Sequence, residues 1–466
     1  MKTIVCKFGG SSMASAAQFR KVGDILRADP ARRFLVVSAP GKRYDGDTKV
    51  TDMLYRCYDL AAAGEDFAAA LEAVRGRYGE IAEELGIRFD LAGEMAALAD
   101  HLRRGPQRDY MASRGEYLNA KLMAAWLGWD FLDTAAFIRF RPDGVLDPEA
   151  TYALLGEAMA KTERAVLPGF YGADETGRVV TFSRGGSDVT GAIAARAAKA
   201  DLYENWTDVS GMLFTDPRIV PGPAAIPFVT YRELRELSYM GASVLHEDAV
   251  FPARRAGIPI NIRNTNRPDD PGTLIAAHAP AGAAIPPVTG IAGRKGFDTV
   301  LVEKSMMNSE VGFTARLLDI FAAHGVPFEH CPTGIDTMSV VVSADAFRPH
   351  RAEILAALET ELKPDLLKVE EGLAMIAVVG CGMIENKGIA ARILGAVTAA
   401  GVNIRMIDQG SSELNIIIGV REEDYETAIR GLYQEFHKST CSVRCTTPHS
   451  VIAKPRTGLW QSVLLC

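Results

Sequence analysis

The stretch Lys7-Phe8-Gly9-Gly10-Ser11-Ser12 sets the interpretation of the whole chain. It follows the apolar run Thr3-Ile4-Val5-Cys6, a predicted strand, and it precedes a helical pattern predicted to begin near Ser12. Adjacent glycines at a strand-to-helix turn let backbone N–H groups approach a ligand, while the helix N-terminus and Lys7 add positive charge. The stretch therefore predicts an anion site, with phosphate as the first candidate and a plain structural turn as the alternative. The spacing of a Walker loop is absent.

Composition narrows the class of protein. The chain has 466 residues, and roughly 100–200 residues per domain predict two to four domains. A net charge of -7 argues against a nucleic-acid partner, and no apolar run approaches the ~20 residues of a membrane span. Seven dispersed cysteines predict reduced thiols and a cytoplasmic location.

The first part of the chain alternates strand and helix patterns, which predicts an α/β domain with a largely parallel sheet. Residues 34–39 predict a strand buried on both faces, followed by a polar loop at 40–49 on the side where such sheets bind ligands. Ser113 and Glu116 have the spacing of a capping box, which predicts that a helix opens there.

A second strand–Gly-Gly–helix turn follows at Gly185-Gly186, after a strand predicted at 179–182. Two such turns in one sheet could hold opposite sides of a polyphosphate. Arg184 beside this turn could bind a carboxylate or a phosphate as a bidentate fork. Asp188 could cap the helix or meet a substrate ammonium.

The last third contains an internal repeat with an offset of 76 residues, so that Gly312-Phe313 falls on Gly388-Ile389. Each unit predicts a ferredoxin-like βαββαβ module. The loops before the first helices, 305–312 and 381–388, could present N–H groups to a small ligand, which suggests a sensor; two purely structural modules are the alternative. With a Pro- and Gly-rich linker predicted at 266–288, the expected domains are 1–288, 289–370 completed by the tail 446–466, and 371–445.

Taken together, these stretches resemble the aspartate kinases of the amino acid kinase family. The opening stretch is similar to the KFGGTS signature, and the similarity continues in family order through 113–116, 169–170, 183–188, 206–209, 215–218 and 241–246. The C-terminal repeat resembles the tandem ACT modules of that family. The resemblance implies the amino acid kinase fold, a largely parallel sheet sandwiched by helices, followed by two ACT modules. The chain resembles the monofunctional enzymes, without a fused homoserine dehydrogenase.

The resemblance implies ATP-dependent phosphorylation of the side-chain carboxylate of L-aspartate to 4-phospho-L-aspartate, towards lysine, threonine and methionine. The implied catalytic residues are Lys7, Arg184 and Asp188. The implied substrate-binding residues are Ser38, Thr51, Glu116, Phe170, Arg184, Ser187 and Asp188. The implied ATP-binding residues are Lys7, Gly9, Gly10, Ser11, Thr207, Asp208, Leu213, Arg218 and Ser243. No metal site made by the protein is expected, since Mg²⁺ would be held mainly by the ATP phosphates.

Two departures from the family pattern stand out. The family commonly has a lysine near the ATP phosphates where this chain has Ser243. The loop 40–49 is longer than in many relatives; it carries Lys42, Arg43 and Lys49, which could reach the site, and it could act as a lid.

Feedback inhibition by an end-product amino acid is expected at the first ACT module. The candidate effector residues are Met307, Asn308, Ser309, Glu310, Gly312, Phe313, Thr314, Asp336 and Ser339. Lysine is the first candidate, because Glu310 and Asp336 offer negative charge to an ε-ammonium, and threonine is the second. A homodimer or higher homo-oligomer through the ACT modules is expected.

Two other functions stay open at this point. One is a kinase of the same fold for another small acid, such as glutamate or a carbamate. The other is a catalytically weak sensor that binds amino acids through the repeat, which the departure at Ser243 keeps open.

Overall fold

The structure is a computed structural model, and it describes residues 2–183, 185–242, 245, 247–280 and 282–442. The elements of the first part are, in chain order, β1 (Ile4–Phe8), α1 (Ala16–Ala28), β2 (Arg32–Val37), α2 (Val50–Ala62), α3 (Ala68–Leu85), α4 (Leu91–Arg104), α5 (Arg108–Leu127), β3 (Asp130–Phe131), α6 (Pro148–Ala160), β4 (Ala165–Pro168), β5 (Tyr171–Ala173), β6 (Val179–Thr181), α7 (Gly186–Ala197), β7 (Leu202–Thr207), β8 (Phe228–Thr230), α8 (Tyr231–Tyr239), α9 (Glu247–Arg255), β9 (Ile260–Asn264) and β10 (Thr273–Ala276).

These strands form an eight-stranded sheet in the order β3-β4-β2-β1-β7-β9-β10-β8. All neighbours are parallel except β9 and β10, which confirms the prediction of a largely parallel sheet. All five residues of β1 are buried. Val5 packs into the core on one face, while Ile4, Cys6 and Phe8 pack into the core on the other, because side chains alternate along a strand.

Two predictions about this part are wrong. Strand β6, which precedes the second Gly-Gly turn, pairs antiparallel with β5 in a separate two-stranded sheet. The two glycine turns therefore do not extend from one sheet. The predicted linker at 266–288 contains strand β10, whose short Thr273–Ala276 segment pairs with both β8 and β9.

The second part builds one six-stranded sheet. Its elements are β11 (Gly290–Glu303), α10 (Phe313–Ala323), β12 (Phe328–His330), β13 (Thr337–Ser343), α11 (Ala344–Phe347), α12 (Arg351–Leu362), β14 (Leu366–Val379), α13 (Ile389–Ala399), β15 (Met406–Asp408), β16 (Asn415–Arg421) and α14 (Tyr425–Ser442). The strand order is β12-β13-β11-β14-β16-β15.

Two ferredoxin-like modules share the long central strands β11 and β14. The second half of β11 and the first half of β14 belong to the module with β12 and β13, whereas their other halves pair beside β16. The second module thus takes its fourth strand from residues 290–295, before the first module in the chain. The tail 446–466 lies outside the described residues, and the predicted domain boundaries stay predictions.

The six-stranded sheet curls strongly. Its two outermost strands are β12 and β15, yet His330 Nδ1 on β12 lies 2.8 Å from Asp408 Oδ2 on β15. No helix within the described ranges has the length and apolar composition needed to cross a bilayer.

Candidate active site and regulatory loops

The Gly9-Gly10 turn lies at the carboxyl end of β1, in the middle of the large sheet. The Gly9 N–H donates to the Trp206 carbonyl at 3.0 Å. A single 3-10 turn, Gly10–Met13, follows, and α1 begins only at Ala16 with Ser15 as its cap. The prediction of a helix that begins near Ser12 is therefore wrong by one short turn, because the Ser15 hydroxyl accepts the cap hydrogen bond from the Gln18 N–H.

Lys7 is buried and forms an ion pair with the half-buried Asp188, with 2.6 Å between Nζ and Oδ1. The Asn205 amide also donates to Asp188 Oδ1 at 2.8 Å. Asn205 is the direct cross-strand neighbour of Lys7 on β7. The two residues expected to act on phosphate and on ammonium are thus in contact, and Asn205 is a member that the motifs did not predict; its signal is a polar residue inside a buried strand.

The N-terminus of α7 packs directly on Phe170. Gly185 caps this helix in the left-handed region, with φ of 56°. A Cβ on Gly186 would lie 2.5 Å from the Phe170 ring, so only glycine permits this approach. Phe170 itself has a φ of 81°, and its N–H donates to Thr190 Oγ1 at 3.0 Å. The contacts bring Phe170 and Ser187 together; Arg184 lies outside the described residues.

Glu116 is buried in the middle of α5 and does not open a helix. The prediction of a capping box is wrong, because α5 begins at Arg108 and the Ser113 hydroxyl donates to the Tyr110 carbonyl instead. Burial raises the pKa of Glu116 to about 8, although a backbone hydrogen bond from Ala39 and the charge of Arg114 act in the opposite direction. Within the described part of the chain, Glu116 Oε2 has no hydrogen-bond partner.

An unpartnered buried carboxylate oxygen is costly, and it is a natural receptor for a ligand ammonium. Asn119, one turn further along α5, was also not predicted, and its amide donates to the Ser38 carbonyl at 2.6 Å. This contact fixes the end of β2 against the helix that carries Glu116.

A cleft of about 630 Å³, the first cleft, collects many of the predicted residues. It is lined by Gly10, Ser11, Ser38, Ala39, Pro40, Gly41, Lys42, Arg43, Tyr44, Asp45, Lys49, Thr51, Glu116 and Asp208. The Thr207 hydroxyl donates to Asp208 at 3.3 Å beside it. Residues predicted to bind phosphate and residues predicted to bind the substrate therefore line the same cleft.

A second cleft of about 750 Å³ lies between the two parts of the chain. Leu213 and Arg218 line it, together with Gly241, Ala242 and residues of β11 and α14, including Lys295. Arg218 pairs with Asp216 at 2.7 Å, which lowers the pKa of that carboxyl. The predicted ATP residues therefore divide between two clefts, and Ser243 lies outside the described residues.

The predicted effector residues surround the start of α10. Gly312 caps this helix in the left-handed region, with φ of 82°. Met307 and Phe313 are buried in the core of the module. Asp336 Oδ1 accepts the Met306 N–H at 3.0 Å, and Ser339 donates its N–H to the Pro332 carbonyl.

Glu310 is already compensated by the protein. It pairs with Lys304 at 2.6 Å and contacts Arg316, and the hydrogen bond from Lys304 lowers its pKa. Its charge is therefore less available to an effector ammonium than the sequence suggested. Asn308, Ser309 and Thr314 are exposed beside it.

Comparison with known proteins identifies the class of this fold and site. The Amino acid kinase family matches residues 2–264, and the ACT domain matches residues 376–436. The chain therefore belongs to the amino acid kinase family. Within that family it is an aspartokinase, as the predicted resemblance indicated.

Individual relatives agree along nearly the whole chain. Aspartokinase 3 of Bacillus subtilis is 40% identical over 93% of this chain and 98% of its own length. The crystal structure of Clostridium acetobutylicum aspartate kinase, described as an allosteric enzyme, is 45% identical with a TM-score of 0.86, over 94% of this chain and 100% of that one.

The structures of E. coli aspartokinase III are 26% identical over 94% of this chain and 100% of that one. Its complex with aspartate and ADP has a TM-score of 0.69, and its complex with lysine and aspartate has a TM-score of 0.68.

Proposed function

We propose that this aspartokinase transfers the γ-phosphoryl group of ATP to the side-chain carboxylate of L-aspartate, giving 4-phospho-L-aspartate. The carrying observation is that Glu116 and the Gly10–Ser11 turn line the same cleft, and that Glu116 Oε2 has no hydrogen-bond partner among the described residues. In this proposal Glu116 binds the α-ammonium of aspartate and the turn binds a phosphate of ATP. The complex of E. coli aspartokinase III with aspartate and ADP supports this choice of reactants.

The chemistry needs positioning more than proton transfer. The aspartate carboxylate is ionised at pH 7, since its ordinary pKa is about 4, so it attacks without a general base. Catalysis then comes from orientation and from charge placed on the transferring group. Lys7 is proposed to stabilise the phosphoryl group; its ammonium pairs with Asp188, and its strand pairs with β7.

Glu116 binds the α-ammonium, and Ser38, Thr51, Phe170 and Ser187 complete the pocket in this proposal. Arg184 is proposed to hold the α-carboxylate. The nucleotide is proposed to bring Mg²⁺ on its phosphates and to extend towards Leu213 and Arg218. The product would enter the synthesis of lysine, threonine and methionine.

Regulation by an end-product amino acid is part of the proposal, with the effector at the loop before α10. Lysine remains the first candidate, because an E. coli relative is crystallised with it, and threonine the second. Since Glu310 is compensated by Lys304 and Arg316, the choice of lysine relies more on Asp336. A homodimer through the ACT modules and a cytoplasmic location stay predictions.

One assay tests the central claim. ADP release is measured with Mg-ATP and a panel of amino acids, and the acyl phosphate is trapped with hydroxylamine. We expect turnover with L-aspartate. No turnover with L-aspartate would refute the proposal, and activity with L-glutamate alone would favour a different acid kinase.

A further inference from the structure

Three cations and three carboxyl groups line the first cleft, so it offers little net positive charge to two anionic reactants. Lys7, beside the Gly9-Gly10 turn, is already neutralised by Asp188. Arg43 is engaged by Asp47 at 2.9 Å and by Glu80 at 2.7 Å. In the part of the chain that the structure describes, the cations of the first cleft without an ion pair are Lys42 and Lys49.

The loop that carries these lysines, residues 40–49, is docked on the Gly9-Gly10 turn. The Gly41 N–H donates to the Gly10 carbonyl at 2.8 Å, and a Cβ on Gly41 would lie 2.7 Å from the Gly10 carbonyl carbon. At the other end of the loop, the Val50 N–H donates to the Pro40 carbonyl at 3.2 Å. The loop is therefore closed at its base and packs on the Gly9-Gly10 turn, which the phosphate must approach in the proposed function.

A buried ion cluster fixes the middle of the same loop. Asp47 accepts hydrogen bonds from the Arg43 N–H at 2.9 Å and from Arg77 at 2.5 Å. Arg77 lies on α3 with 4% of its side chain exposed, and it also donates to the Gly41 carbonyl at 2.7 Å. Hydrogen bonds from Arg43 hold the pKa of Asp47 far below its ordinary range, so the cluster stays charged across the working pH range.

We propose that Lys42 and Lys49 bind the terminal phosphate of ATP, and that Asp47 is the positioning residue that holds their loop against Gly10. This inference rests on the proposed function. The loop backbone is held beside the Gly9-Gly10 turn, and its two ammonium groups, which have no ion pair among the described residues, supply the charge that Lys7, paired with Asp188, supplies only in part. Cations held close to the transferring phosphoryl group stabilise the charge that it carries.

Equilibrium binding of Mg-ATP and Mg-ADP, without aspartate, tests the assignment to the terminal phosphate. The variants are Lys42→Ala, Lys49→Ala and their double variant, and Lys161→Ala on α6 is the control, because its side chain is 72% exposed and lines neither cleft. We expect each cleft variant to bind Mg-ATP at least about tenfold more weakly, the usual scale of a charged hydrogen bond, and Mg-ADP within about threefold of wild type. Equal losses for ATP and ADP, or Mg-ATP binding as tight as that of wild type, would overturn the assignment.

A double-mutant cycle tests the positioning role of Asp47. If Asp47 acts through the two lysines, adding Asp47→Ala to the double lysine variant should weaken Mg-ATP binding little further, although Asp47→Ala alone weakens it strongly. A fully additive loss would mean that Asp47 does not act through them. Wild type without aspartate kinase activity would refute the proposed function; an active wild type whose lysine variants match Lys161→Ala would refute this inference alone.

Discussion

Burial affects two charged residues in opposite ways: Glu116, which lines the first cleft, and Lys7, which lies beside the Gly9-Gly10 turn. Lys7 is buried with a counter-charge, because Asp188 lies 2.6 Å away. Glu116 is buried with an unpartnered oxygen among the described residues, and its pKa rises to about 8 in consequence. We expect Lys7 to hold an anion in place and Glu116 to gain a partner when a cationic ligand binds.

Replacing Lys7 should remove a preorganised cation from the phosphoryl group. We expect Lys7→Ala to lower kcat by at least about 100-fold, the scale seen on removal of one preorganised donor. The measurement is steady-state ADP release, with Lys161→Ala as the matched surface control. A Lys7→Ala enzyme with nearly wild-type kcat would show that other cations, such as Lys42 and Lys49, carry the role.

The raised pKa of Glu116 predicts a pH dependence of aspartate binding. Below about pH 8 the free carboxyl is protonated, so binding of an ammonium must release a proton. The apparent affinity for aspartate should therefore rise by up to about tenfold per pH unit from pH 6 towards 8. Glu116→Gln should bind aspartate more weakly and lose this dependence; an unchanged slope in that variant would contradict the assignment.

Stability provides a second readout for the same residue. The folded-state pKa of Glu116 lies above the unfolded value of about 4.3, so this group destabilises the fold increasingly as pH rises from there to about 8. Glu116→Gln should therefore gain in melting temperature relative to wild type at pH 8 more than at pH 5. Loss of function together with gained stability would separate a binding role from a structural one.

At the scale of elements, sequence patterns predicted the secondary structure of each segment more accurately than the segment with which it pairs. The apolar runs of β1 and β2 are so continuous because both strands are buried on both faces. Strand β6 has an equally good local pattern, yet it pairs with β5 outside the large sheet, and only the tertiary fold decides that. Likewise the Ser113–Glu116 spacing occurs inside a helix as readily as at its start.

The candidate site follows the same rule. Motifs predicted Lys7, Glu116 and Asp188 individually, since each chemical role needs its residue type. They did not predict that Lys7 contacts Asp188, because a contact across distant segments has no local signature.

Docking of the loop 40–49 on the Gly9-Gly10 turn makes Gly41 a sensitive position. A Cβ there would lie 2.7 Å from the Gly10 carbonyl carbon, so Gly41→Ala must separate the loop from the turn. We expect kcat/KM for Mg-ATP to fall at least about tenfold, by analogy with the loss of one charged contact. Gly76→Ala on α3 is the control, because a Cβ meets nothing within 4 Å there and alanine should stabilise the helix by up to about 1 kcal/mol. Equal activity of the two variants would contradict the docking argument.

At the scale of the whole molecule, the sequence repeat predicted two modules but not their shared strands. The offset of 76 residues records their common pattern. It does not indicate that β11 and β14 each contribute one half to each module. Because these strands are continuous, we expect a shift in one module to reach the other and the second cleft, which Lys295 on β11 lines.

Glu233 joins the kinase part to the second module through one carboxylate. Its Oε2 accepts from the Thr230 N–H and hydroxyl at the start of α8. Its Oε1 accepts from Thr289 at 2.7 Å, just before β11, and from the Cys381 N–H at 2.8 Å, at the second module's copy of the effector loop. Burial alone would raise the pKa of Glu233, but these hydrogen bonds hold it below its ordinary value.

Replacing Glu233 should therefore loosen the connection between catalysis and regulation. Glu233→Ala leaves buried donors without an acceptor, at about 1–3 kcal/mol for each unsatisfied group, so the unfolding midpoint should fall. The stabilisation is present above the unfolded pKa of about 4.3 and fades as pH falls, so the difference from wild type should shrink in acid. The lysine concentration for half-inhibition should rise in the same variant, whereas Glu359→Ala on the exposed side of α12 should change neither quantity. If Glu233→Ala is destabilised but inhibited as wild type, the carboxylate holds the interface together without transmitting the effector signal.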